Sequence, residues 1–132
     1  MKYFLSILIF TITVYANNAD DIYIIATDEC KFDSIDNKSI KDLFLKKIRY
    51  YKNTYIEVLD NDTCYDNFLL HYLKKSPKRM RIYWTRMIFT GSKKPPKKIS
   101  QHDFTKAKDN LCHVSYTKKE NVKGWKILDV VQ

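Results

Sequence analysis

The chain has 132 residues, with 24 Lys and Arg against 15 Asp and Glu, for a formal net charge of +9. That length supports one domain with a modest core and leaves no room for a second. Its three cysteines show no C-x-x-C and no histidine–cysteine pair at zinc spacing, so neither a redox motif nor a metal site is expected, and no cofactor.

Residues 1-16 read as an export signal. Lys2 precedes an apolar run that ends at Val14-Tyr15-Ala16, and small residues at the third and first positions before a cut suit a signal peptidase. The run is shorter than the span of about 20 residues that a membrane helix needs. The expectation is a signal peptide cut near Ala16, a mature domain over 17-132, and a periplasmic or secreted location. Lys2 is the only charged residue of the leader, so the mature chain keeps 23 basic and 15 acidic side chains, a net +8. Such a chain suits an anionic small molecule, an anionic lipid surface or an acidic protein, and export removes it from intracellular nucleic acid. An oxidising compartment permits one disulfide among Cys30, Cys64 and Cys112, with three pairings open.

Along the mature chain, Ile22 to Ala26 is a short β-branched run that predicts a buried strand. A polar loop through Asp28, Glu29 and Asp33 follows. Ser39-Ile40-Lys41-Asp42 has the spacing of a capping box, opening a helix that buries Ile40, Leu43 and Phe44, with Lys46 and Lys47 suited to its C-terminal dipole. Tyr55 to Leu59 predicts a second strand. Thr63-Cys64-Tyr65-Asp66 is a second box, whose helix buries Phe68, Leu69, Tyr72 and Leu73. Ser76-Pro77 starts a third helix, and Met80, Tyr83, Trp84, Met87 and Ile88 form its apolar face. Thr90 to Lys98 reads as a loop. Ser100-Gln101-His102-Asp103 is a third box, with Phe104, Ala107 and Leu111 at helical spacing behind it. Cys112 to Tyr116 and Trp125 to Val130 read as closing strands, joined by a turn over 121–124. The order predicts an α/β sandwich on a mixed sheet.

Ile40-Lys41-Asp42-Leu43-Phe44-Leu45-Lys46-Lys47 resembles the L-x-x-I-F-x-G-K helix end of phosphate-type substrate-binding proteins of ABC transporters. Ser76-Pro77, Tyr83-Trp84, Met87-Ile88-Phe89-Thr90-Gly91 and Pro95-Pro96 resemble the S-P, Y-W, F-T-G and P-P pattern of a short stand-alone branch of that family. Val114-Ser115-Tyr116 sits where the family often has I-G-Y. The resemblance implies an α/β fold similar to a single lobe of a type II periplasmic-binding-protein-like fold, a mixed sheet of about four to five strands flanked by helices.

In complete phosphate receptors, a glycine-rich loop at a helix N-terminus turns N–H groups and a hydroxyl onto the anion. The matching junction here holds Asn61, Thr63, Cys64 and Tyr65, the candidate anion-binding residues. It has no glycine, and Asp60 and Asp62 add two carboxylates that oppose a bound phosphate. Lys93, Lys94, Lys97 and Lys98, around two prolines, are the candidate partner-contact residues for an acidic surface. No nucleophile elbow, zinc-protease motif or P-loop occurs. Cys64 and His71 are seven residues apart on one predicted helix, about 10 Å along its axis and too far for a nucleophile–base contact. The expected function is therefore an exported, non-catalytic binding or accessory module, with a membrane permease or a sensor protein as partner. The alternatives are a genuine phosphate or anion receptor for ABC transport, working as a dimer, and, less expected, a thiol-dependent enzyme using Cys64.

Overall fold

Strand β1, Ile22–Ala26, has its last three residues buried and lies between two antiparallel neighbours. A computed structural model describes residues 22–100, 110–119, 122 and 124–132. On one side β1 pairs with β6, Cys112–Lys118, from Ile22 opposite Lys118 to Ala26 opposite Val114. On the other it pairs with the two-residue β7, Lys126–Ile127. β6 is buried over its first six residues, as a central strand covered on both faces should be. It runs parallel to β4, Thr54–Asn61, with Val58 opposite Val114. The far edge of β4 is shared. β3, Tyr50–Tyr51, pairs antiparallel with its start, and β5, Lys97–Ile99, pairs parallel with its end. The result is a mixed sheet of six strands. A separate parallel pair joins β2, Ser34–Asp36, to β8, Asp129–Val131.

The α/β class and the mixed sheet match the sequence reading, but the strand count exceeds four to five. β2, β3 and β5 are two or three residues long, too short to show a period of two. They form because a neighbour offers unpaired backbone, which is tertiary information. β5 also corrects the loop expected from Thr90 to Lys98. The single closing strand is broken at Leu128: its side chain is buried and its N–H donates to the Ile24 carbonyl at 2.9 Å, while Asp129 N–H turns to the Asp33 carbonyl. The chain there leaves the large sheet for the small one.

Helix α1, Asn37–Phe44, starts earlier than the box at Ser39 predicted. Asp36 is the N-cap. Its carboxylate accepts from Ser39 N–H at 3.0 Å and from Ser39 Oγ at 2.7 Å, and these bonds hold its pKa below the usual carboxylate value. Ser39 Oγ is thereby spent as a donor, and Asp42 pairs with Lys38 at 3.0 Å instead of closing a box. Asp36→Ala is therefore expected to cost about 1 kcal/mol in urea unfolding at neutral pH. Ser39→Ala should cost visibly less, a ranking that a Ser39 cap would reverse.

The second box is also redirected. Thr63 Oγ1 donates to Asn61 Oδ1, Cys64 precedes the helix without a side-chain cap, and α2 is only Tyr65–Phe68, widening into a π-helical turn over Leu69–Leu73. Phe68, Leu69 and Leu73 are buried as expected, with Tyr72 partly buried. Helix α3, Pro77–Phe89, begins as read: Ser76 Oγ accepts from Arg79 N–H and Pro77 occupies the first turn. Met80 and Trp84 are buried, Tyr83 and Met87 pack on the core, but Ile88 is exposed. Most of the third box, with Phe104 and Ala107, lies outside the described residues; Ser100 and Leu111 are described, and Leu111 is exposed and not helical.

The three helices and the sheet share one main core. At its centre Phe68 stacks on Tyr116, ring centroids 3.7 Å apart, and both contact Phe44. Cys30 and Cys112 form a disulfide that joins the segment after β1 to the first residue of β6, leaving Cys64 as a buried thiol. Among the described residues no helix is long and apolar enough to cross a membrane.

Candidate functional site: a cationic groove on the edge of β4

Two chain reversals build the groove. At the end of α3, Gly91 takes φ +70°; its N–H donates to the Ile88 carbonyl and Ser92 N–H donates to the Met87 carbonyl. This is the Schellman arrangement, in which glycine is the residue of least strain. It sends Lys93 to Pro96 back along the sheet into β5. The end of α1 makes the same pair of bonds, Lys46 N–H to Leu43 O and Lys47 N–H to Asp42 O, but the left-handed position is filled by Lys46 at φ +60°. Lys52 and Asn53, both at positive φ, then form the tight turn between β3 and β4.

Between these reversals lies the stretch of β4 that neither edge strand covers. β3 pairs with Thr54 and Tyr55, β5 begins at Leu59, and Ile56 to Val58 line a groove of about 530 Å³. Leu43, Ile48, Ile88 and Pro95 supply apolar wall. Lys46, Arg49, Lys93, Lys94 and Lys97 surround it, against a single carboxylate, Glu57. Tyr55 Oη donates to Glu57 at 3.2 Å, and the Glu57 charge raises the Tyr55 pKa. The groove therefore offers several cations over an apolar floor, a chemistry that binds anions bearing some apolar surface.

Three of the four predicted contact lysines, Lys93, Lys94 and Lys97, line this groove. Lys98 follows Lys97 on a strand, so it points the other way. Its ammonium lies 3.9 Å from the centroid of the Tyr65 ring and pulls on Asp60. Lys46 and Arg49 escaped sequence reading, because some 45 residues separate them from the loop lysines and only the fold unites them. The one available signal was the Leu45-Lys46-Lys47 helix end, where glycine is the usual occupant.

The junction after β4 is built differently. Asn61 is fully buried; its Oδ1 accepts from both the N–H and the hydroxyl of Thr63, and its Nδ2 donates to the Tyr116 carbonyl. Cys64 is buried, and burial pushes the half-buried Tyr65 phenol up to about 12. Beside them Asp60 accepts from Tyr116 Oη at 2.8 Å, and burial raises its carboxyl to about 6. The Asn61 amide and Thr63 hydroxyl thus serve the fold's own backbone and side chains. His71 lies exposed on the π-helical turn, lining a second cleft with Lys38, Lys41 and Lys74, so it is not beside buried Cys64. Among the described residues, no three His, Cys, Asp or Glu side chains gather to hold a metal.

No protein-family model matches this chain, and no curated protein does.

Proposed function

We propose that the chain is an exported, non-catalytic binding module that holds an anionic partner in the groove on the edge of β4. The observation that carries this reading is Lys46. A lysine in the left-handed region costs on the order of 1 kcal/mol relative to glycine, and this one stands at the rim of the groove with four other cations. It also occupies the glycine position of the phosphate-receptor helix pattern, so a strained charge replaces a relaxed residue. The mixed sheet flanked by helices is compatible with one lobe of a type II periplasmic-binding-protein-like design. A disulfide suits a periplasmic or secreted chain. An acidic segment of a permease or sensor protein meets the groove's charge and apolar floor better than bare phosphate does.

Lys46→Gly separates binding from stability. Its unfolding free energy should rise by about 1 kcal/mol, while calorimetric titration with a glutamate-rich peptide containing leucine should show weaker binding. Arg49→Glu with Lys97→Glu should weaken that binding more than tenfold and flatten its salt dependence. Tight binding of inorganic phosphate, lost in Thr63→Ala but kept in the groove variants, would move the site to the junction at Asn61 to Tyr65 and favour the receptor alternative.

A further inference from the structure

The outward face of α3 is separate from the groove's floor and carries its own pattern. Between Lys74 and Lys98 the chain has ten lysines and arginines and no aspartate or glutamate, so the remainder of the chain is close to neutral. Within that segment α3 buries Met80 and Trp84. Residues half a turn away must face outward, and at 100° per residue these are Lys78, Ile82, Thr85 and Phe89. Ile82 is 51% exposed and Phe89 is 87% exposed. Arg81 flanks the stripe on one side and Arg86 on the other. Together with Lys78, Ile82 and Thr85 they line a shallow depression of about 500 Å³.

We infer that this face of α3 docks the protein onto an anionic lipid surface. Two exposed apolar side chains on one line of the helix, Ile82 and Phe89, with guanidinium groups on both sides, suit a bilayer interface: the two apolar side chains enter the acyl boundary while Lys78 and the flanking arginines meet phosphate. Arginine is suited to that contact, because its planar fork pairs with phosphate oxygens and loses little hydration. Among the described residues no element covers this shallow face, so a broad, negatively charged surface can meet Ile82, Phe89 and the flanking arginines together. The groove remains free to hold its own ligand.

The test is co-sedimentation of the full chain with phosphatidylcholine vesicles, with and without phosphatidylglycerol. The chain should partition preferentially onto the anionic vesicles. Ile82→Ser with Phe89→Ser should lower that partitioning about tenfold. Arg81→Ala with Arg86→Ala should lower it by roughly fivefold per charge and reduce its salt dependence. All four positions are exposed, so near-ultraviolet circular dichroism should report an intact fold. Every variant keeps residues 1–16, so differences among them belong to α3. Equal binding to neutral and anionic vesicles overturns the proposal, as does unchanged partitioning of the α3 variants. Loss in Arg49→Glu with Lys97→Glu, but not in the α3 variants, overturns it by moving the contact to the groove; that result leaves the groove's peptide binding to be judged by its own titration.

Discussion

Removing the disulfide by Cys30→Ala and Cys112→Ala is expected to lower the unfolding free energy by about 4.5 kcal/mol, the loop-closure entropy of a cross-link spanning some 80 residues. The sequence separation of 82 is what makes the effect large, because the bond removes freedom from most of the unfolded chain. The loss would take a large share of the roughly 5–15 kcal/mol that stabilises a domain of this size. The link also acts where the sheet needs it: Cys112 is the first residue of β6, opposite Ile56 of β4, and β6 is the strand that joins β1 to β4. Urea unfolding of the variant, and of the wild-type chain with reductant, should show matching losses. A loss under about 1 kcal/mol in both would mean that the unfolded chain is already constrained near these cysteines.

Asp60→Asn should raise stability at pH 8 and remove a pH dependence. In the fold the Asp60 carboxyl is 6% exposed and its pKa is pushed up by burial from 3.8 to about 6, with the Tyr116 hydrogen bond and the charges of Lys98 and Lys46 pulling part of the way back. Between those two values the folded chain holds a proton that the unfolded chain has released. The Asp60 contribution to stability is therefore largest below pH 4, falls as pH rises to about 6, and stays lower by roughly 3 kcal/mol above it. Asparagine does not titrate and still accepts from Tyr116 Oη, although its amide then needs an acceptor, which offsets about 1–2 kcal/mol of the gain. Chemical unfolding at pH 4.5 and pH 8 measures both. An unchanged slope in Asp60→Asn would assign the pH dependence to other groups.

Much of the fold was legible where local chemistry is strong. The β-branched run at Ile22 to Ala26, the Ser76-Pro77 start and the Met80/Trp84 face could be read because each is decided within a few residues. The capping boxes were less reliable. A hydroxyl three residues before a carboxylate is a pattern of spacing, whereas the actual cap is whichever acceptor reaches the free N–H groups: Asp36 reached them before Ser39, and Thr63 found Asn61 closer than its own helix.

The groove was half legible. Lys93, Lys94 and Lys97 announced themselves as a cluster, while Lys46 and Arg49 did not, because charge on a surface is pooled by strand pairing and not by neighbourhood in the chain. By itself the sequence determined the α/β class, the basic balance and most of the buried faces of α1 to α3, since periodicity and composition act locally. Only the tertiary structure decided which two cysteines pair, which short segments become strands, that the Asn61 amide and Thr63 hydroxyl bond within the fold, and where the cations converge. Each of those depends on residues far apart in sequence being brought within bonding distance by the packing of β1, β4 and β6.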